Sequence, residues 1–343
     1  MSTRYLILAE GFSADPHYGK TAHGVLRYRR DDVVAILDSQ RAGETEQGVP
    51  VVATVNDALC FNPNTALVGV ATQGGRFPPA WIEILKSCIA KGLDVENGLH
   101  VFLSDDAELR DLAARHGVEL RDLRRPPRDL STATGANLEV PATIVLTVGS
   151  DCAIGKMTVS LELDLEARSR GVGSIFVPTG QTGIAIAGWG IAVDAVVADF
   201  IAGAAERLVV EGAERGGELL WVEGQGALQH PVYSGVTLGL YHGSTPHLLV
   251  LCHEPGRTEI EGVGGGPHPI SPLAELVELH ERIALPARPS RVVAVALNTS
   301  RLDEAAARAA VEAAEAETGL PADDPVRFGA ARLVEAVLAT QEG

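Results

Sequence analysis

The sequence predicts an α/β protein of parallel sheets with a phosphate-binding loop in its second half, and three observations predict it. Short apolar runs alternate with helical stretches along most of the chain, the pattern of strands joined by right-handed crossovers. Aromatic residues are only 4%, while Ala, Val, Leu and Gly dominate, which suits Val- and Leu-filled strands under Ala-lined helices. A glycine loop, Gly149-Ser150-Asp151-Cys152-Ala153-Ile154-Gly155-Lys156, follows a strand and opens a helix.

A length of 343 residues favours two domains over one. Hydrophobic residues at 46% and charged residues at 21% make an ordinary globular mixture. Net charge is −17, from 28 basic and 45 acidic residues. A uniformly acidic surface repels nucleic-acid phosphates and anionic lipid, so neither partner is expected. An anionic ligand then needs a locally positive site, built from helix N-terminal amides and a few basic side chains. The cysteines Cys60, Cys88, Cys152 and Cys252 form no CxxC pair, which argues against a zinc ribbon. No signal-peptide pattern occupies residues 1–11, and no run of 18 apolar residues occurs. The expectation is a cytoplasmic protein with reduced thiols, and a homo-oligomer from size and class.

In the first half, strands are expected at 5–9, 33–38, 50–54, 66–70 and 100–102. Helices are expected at 21–29, at 79–91 with Trp81, Ile84, Leu85 and Ile89 in helical register, and at 105–115. The Pro- and Thr-rich stretch from Arg124 to Pro141 breaks this pattern. Two domains are therefore expected, 1–135 and 136–343. In the second half the strands are 143–147, 174–177, 219–223, 248–252 and 292–297. The helices are 156–170, 194–215, 303–318 and 330–340. The polar signatures follow strand C-termini, the edge where open α/β sheets bind ligands.

Gly149 and Gly155 let the backbone turn around a phosphate, the following amides and helix dipole hold its charge, and Lys156 reaches its oxygens. A nucleotide hydrolase has Ser or Thr directly after the lysine to bind magnesium. Here Met157 stands there and Thr158 comes one later, about 100° around the helix. Phosphate binding survives that change more easily than magnesium-dependent phosphoryl transfer. Cys152 at the helix start is either an activated thiol or a small residue tolerated in a tight loop. Glu223 ends a strand as a general base, a magnesium partner or a cap on nearby amides. His230, His242 and His253 are proton acceptors or structural histidines. Arg257 is a bidentate carboxylate clamp or a surface arginine. Thr179 and Gln181, in 178–183, and Gln225 beside Glu223 are candidates to line a substrate. The run Gly262–Gly266 reads as a mobile loop. No metal site is expected, because HExxH-like spacing is lacking. In the first half, Glu10-Gly11 and Gly74-Gly75 do not make a GxGxxG, so a dinucleotide site there is weakly supported.

Together, Gly149 to Thr158, Glu223-Gly-Gln-Gly226, His230-Pro-Val-Tyr-Ser-Gly235, His242-Gly-Ser-Thr-Pro246 and Cys252-His-Glu-Pro-Gly-Arg257 resemble a former domain-of-unknown-function family that includes the D-glutamate N-acetyltransferases. The resemblance covers both halves. It implies an N-terminal Rossmann-like domain and a C-terminal P-loop domain. It also implies transfer of an acetyl group from acetyl-CoA to the amine of a D-amino acid, D-glutamate, in D-amino acid catabolism. Residues Gly149–Thr158 would then bind the co-substrate, whose phosphates suit such a loop. Glu223, His230 and His253 would be the candidate bases, and Arg257 would hold a substrate carboxylate. The loop also resembles that of dethiobiotin synthetase, with Asp151 and Glu223-Gly similarly placed. That gives an alternative, an ATP- and magnesium-dependent ligase or kinase on a small carboxylate or amine, with Asn298 reading adenine. A nucleotide-binding regulatory protein is a third class.

Overall fold

The computed structural model describes residues 2–15, 18–71 and 80–340. Gly74-Gly75 and Pro79 lie outside these residues. The chain forms two compact units, Met1–Pro126 with Gln181–Ala195, and Pro127–Gly180 with Val196–Gly343. Position 135 therefore lies inside the second unit, and a short stretch of the second half belongs to the first.

The first unit carries strands β1 (Tyr5–Leu8), β2 (Val33–Leu37), β3 (Thr45–Glu46), β4 (Val49–Val52), β5 (Thr65–Val68), β6 (Asp94–Asn97) and β7 (Leu120–Asp122). They form one sheet in the order β3-β4-β2-β1-β5-β6-β7, parallel except for the β3/β4 edge. Helices α1 (Lys20–Tyr28), α2 (Val55–Ala58), α3 (Trp81–Ala90) and α4 (Ala107–His116) connect them. Trp81, Leu85, Cys88 and Ile89 of α3 are buried against the core of Leu6, Leu8, Val68 and Val95.

The strand expected at 100–102 is not one. That segment is a bend before a short 3-10 turn, and the strand is β6, one step earlier. β6 escapes an apolar reading because its buried residues include Glu96 and Asn97. Their polar groups are satisfied. Tyr5 donates its hydroxyl to Glu96 at 2.9 Å and Arg121 pairs with Glu96 at 2.6 Å. Asn97 donates to Asp122 at 2.8 Å. A buried polar group tolerates its position only with such partners.

The second unit carries β8 (Thr143–Gly149), β9 (Ser174–Val177), β10 (Leu219–Val222), β11 (Leu248–His253), β12 (Arg291–Leu297) and β13 (Ala322–Asp323). All pair in parallel, in the order β13-β12-β11-β8-β10-β9. Between the strands run α5 (Lys156–Ser169), α6 (Gln181–Ala187), α7 (Ile201–Glu214), α8 (Ser234–Ser244), α9 (Leu273–Arg282), α10 (Glu304–Thr318) and α11 (Ala331–Ala339). Of these, α6 belongs to the first unit. The helix expected over 194–215 begins as two 3-10 turns and becomes α-helical only at Ile201. Val145, Leu163, Trp221, Val250, Ala294 and Val334 pack together in the core. Trp221 reaches that core from β10 and satisfies its indole N–H on Ser174 at 2.9 Å.

β8 is flanked by β10 on one side and β11 on the other. The chain goes from β8 to the β9/β10 side first and to the β11 side afterwards. The crevice beyond the C-termini of β8 and β11 is thus a topological switch point, the place where such sheets bind ligands. Among the described residues, no helix is long and apolar enough to cross a membrane.

Candidate active site

Six of the seven residues of β8 are buried, so the strand delivers the glycine loop from a rigid base. The loop turns on two left-handed residues, Ala153 (φ +54°) and Gly155 (φ +106°). Gly155 caps α5 without a side-chain hydrogen bond, which leaves the first-turn amides of Lys156, Met157 and Thr158 unclaimed by a cap. Beside the loop, Gly224 approaches so closely that an added Cβ would fall 1.8 Å from the Thr147 carbonyl oxygen. Its amide donates to Thr147 Oγ1 at 2.9 Å. Thr147 carries no obvious chemical signature in sequence, yet it ties the β10 exit to the loop's own strand.

Lys156 is buried and donates its ammonium to the Asp151 carbonyl at 2.7 Å. Burial lowers its pKa from the usual lysine range, against the opposing pull of Cys152, Cys252 and Asp151. Both oxygens of the Asp151 carboxylate accept hydrogen bonds. One oxygen accepts the Cys152 amide at 2.7 Å, and the other accepts the Arg257 guanidinium and the Glu261 amide, each at 3.0 Å. Arg257 also holds Glu254 at 2.5 Å, the Cys152 carbonyl at 3.1 Å and Glu261 at 3.3 Å. Its Nε is buried with no hydrogen-bond partner among the described residues. Arg257 thus knits the loop to the segment after β11. Glu254 and Glu261 had no role assigned from sequence, and the acidic spacing around Arg257 was the available signal.

Ser150 Oγ lies 2.9 Å from Nδ1 of His253, which ends β11. Burial lowers the His253 pKa below the ordinary histidine value, partly offset by Glu317 and Glu254. Asn298, after β12, donates to the Ile154 carbonyl at 3.4 Å and so supports the loop. The Glu223 carboxylate accepts the amides of Thr179 and Gly180 at 2.9 and 3.1 Å. Thr179 returns its hydroxyl to the Glu223 carbonyl at 2.6 Å and accepts from Gln225 at 3.1 Å. Glu223, Thr179 and Gln225 therefore form one cluster.

His230 is buried, and its Nδ1 accepts the Val232 amide at 3.2 Å. In the neutral ring this leaves Nε2 carrying the proton, a donor. Ligand atoms of Asp151, Cys152 and His230 lie within 4.8 Å of one another. His242 is placed elsewhere, 3.0 Å from the Ile283 carbonyl. Gln181 belongs to the first unit. It opens α6, and its amide oxygen accepts from Arg124 at 2.7 Å. In the same unit Arg124 pairs with Asp194 and donates to the Gly98 carbonyl at 2.8 Å. The glycines of the Gly262–Gly266 run are exposed, and the run lies within a turn closed by a Glu259–Pro269 bridge.

Two family models match the chain. Residues 37–126 match the Rossmann-like DUF1611_N domain of unknown function, and residues 131–334 match the P-loop domain DUF1611_C. A D-glutamate N-acetyltransferase of Tritonibacter scottomollicae is 37% identical over 344 residues, 99% of this chain and 99% of that protein. A D-glutamate N-acetyltransferase of a Pseudoalteromonas species is 36% identical over 283 residues, 82% of this chain and 83% of that protein. The crystal structure of a DUF1611 family protein from Anabaena variabilis superposes with a TM-score of 0.91 at 41% identity, covering 98% of this chain and 99% of that one. With both halves matched in order and full-length likeness in sequence and structure, the chain belongs to the DUF1611 family, a Rossmann-like domain followed by a P-loop domain.

Proposed function

We propose that the protein is a D-glutamate N-acetyltransferase that takes its acetyl group from acetyl-CoA, in the breakdown of D-amino acids. Near-full-length likeness to two proteins bearing that activity's name supports the acceptor. The observation that carries the chemistry is the convergence of Lys156, the Ser150–His253 pair and the Asp151, Cys152 and His230 side chains on the loop after β8.

Acetyl transfer to an amino acid needs three things. The ammonium must lose a proton, the thioester oxygen must be stabilised as it gains charge, and the acceptor must be oriented. His253 suits the base, because burial keeps its imidazole neutral near pH 7 and Ser150 links its ring to the loop. The first-turn amides of α5, which no side chain caps, and the Nε2–H of His230 suit the developing oxyanion. Glu223 acts through Thr179 and Gly180, fixing the turn beside Gln225 where an amino acid can bind. Arg257 shapes the loop through Asp151 and Glu254, and the loop Gly149–Thr158 receives the donor. No step requires a metal, and Met157 occupies the position where a hydrolase places its magnesium-binding hydroxyl.

Carbon-labelled acetyl-CoA mixed with D-glutamate tests this reading. The label is expected in N-acetyl-D-glutamate, with the L-isomer left unacetylated. Label that stays in acetyl-CoA while D-glutamate is consumed with ATP and magnesium would place the protein among the ligases instead.

A further inference from the structure

The trio of Asp151, Cys152 and His230 suits either a bound cation or a sulfur nucleophile, and its neighbours decide between them. Asp151 and His230 are buried, while Cys152 is half-buried. Lys156 sits on the Asp151 carbonyl at 2.7 Å, and Arg257 touches both the Asp151 carboxylate at 3.0 Å and the Cys152 carbonyl at 3.1 Å. The Lys156 ammonium opposes a divalent cation, and it and the Cys152 thiolate favour each other's charged forms. Asp151 already accepts three hydrogen bonds, one on Oδ1 and two on Oδ2, which compete with a metal for that carboxylate. His230 presents an Nε2–H in its neutral form, a donor suited to a sulfur anion.

The other cysteines lack this setting. Cys88 and Cys252 are buried, and burial pushes both thiols up to about 12. Cys60 is exposed and gives its S–H to the Asp57 carbonyl.

We propose that Cys152 is a covalent nucleophile that carries the acetyl group from donor to amine. The proposal rests on the acetyltransferase reading and adds an intermediate to it. The Cys152 thiol releases its proton to solvent, and the thiolate attacks the carbonyl carbon of acetyl-CoA. A new C–S bond forms, the bond to the CoA sulfur breaks, and the departing CoA thiolate takes up a proton. D-Glutamate then gives one ammonium proton to His253, and its amine attacks the acetyl carbon. The C–N bond forms, the bond to Cys152 breaks, and a second nitrogen proton passes to the departing sulfur. The products are N-acetyl-D-glutamate and free Cys152.

This step also settles which end of the donor meets the loop. The pantetheine arm holds the thioester far from the pyrophosphate, so one small loop cannot serve both.

The test uses the wild-type protein and mass spectrometry. Acetyl-CoA alone, followed by an acid quench, is expected to add one acetyl group per chain, on the peptide containing Cys152. Added D-glutamate removes it as N-acetyl-D-glutamate appears. S-acetyl-pantetheine, which carries no phosphate, loads the same cysteine. Initial rates with both substrates varied give parallel double-reciprocal lines, and Cys152→Ala abolishes both loading and turnover. Acetylation of D-glutamate with intersecting lines, no acetylated Cys152 peptide and full turnover by Cys152→Ala overturns the covalent step and leaves the acetyltransferase reading standing. No acetyl transfer from acetyl-CoA to D-glutamate by the wild-type protein overturns both.

Discussion

Arg257 Nη1 lies 3.0 Å from Asp151 Oδ2, with the two side chains only 7% and 0% exposed. The same guanidinium reaches Glu254, whose side chain is 6% exposed. Removing a partner from a buried pair leaves an uncompensated charge, which typically costs about 3–5 kcal/mol. Arg257→Ala is therefore expected to lose stability on that scale in chemical denaturation, together with activity. Arg257→Lys keeps a charge but not the planar fork, and should fall between the two. If Arg257→Ala kept wild-type stability and only raised the Michaelis constant for D-glutamate, the guanidinium would be a substrate clamp and not a brace for the loop.

Glu223 is assigned to hold a turn. Glutamine in its place still offers an oxygen to the Thr179 and Gly180 amides. Glu223→Gln is expected to melt near the wild-type temperature and to keep most of its turnover. Glu223→Ala leaves two buried amides without an acceptor, at roughly 1–3 kcal/mol each. Were Glu223 the general base, the glutamine variant would lose roughly 10²–10⁴-fold in kcat.

As the base, His253 must be neutral to act. Burial lowers its pKa from the ordinary value of 6.5, so kcat/KM should rise along an acid limb that lies below pH 6.5 and be flat through neutrality. His253→Asn should remove that limb and lower the rate roughly 10²–10⁴-fold. A wild-type limb centred above pH 6.5 would assign the proton to another group.

His280 gives a separate pH signature, in stability. It is buried, donates Nδ1–H to the Leu276 carbonyl at 2.6 Å, and keeps Nε2 without a partner among the described residues. Burial lowers its pKa from 6.5 to about 4. The unfolded chain therefore binds a proton that the folded chain refuses. The stability contributed is complete above pH 6.5 and is lost as pH falls through 4, on the order of 3–4 kcal/mol at one pKa unit per 1.36 kcal/mol. His247, also lowered to about 4 by burial, adds to the same window. Urea midpoints should fall between pH 7 and pH 4.5, less steeply for His280→Leu than for the wild type. Equal slopes would exclude His280 as a contributor.

The apolar strands were legible in sequence because both faces of a parallel sheet are buried, so runs such as Thr143–Gly149 and Leu248–His253 stand out. β6 was not, because Glu96 and Asn97 are buried by partners that lie far away in sequence. Helix α8 was hidden by its Gly and Ser content, and α6 by the glycine-rich look of 178–183. In the site, the loop and its neighbours after β10 and β11 were visible as strand-end motifs. Gln181 was grouped with Thr179 as part of the glycine-rich segment 178–183, within which the chain passes from the second unit to the first, between Gly180 and Gln181. The His230 donor role depends on the Val232 amide, a backbone contact that residue types do not encode.

The measurement that bears most directly on the account is thiol release from acetyl-CoA across a panel of D- and L-amino acids, with EDTA present throughout. The account predicts free CoA with D-glutamate, little or none with L-glutamate or neutral amino acids, and no effect of the chelator. No thiol release with any amino acid, but ATP turnover once magnesium replaces EDTA, would contradict it and make Glu223 a candidate metal partner.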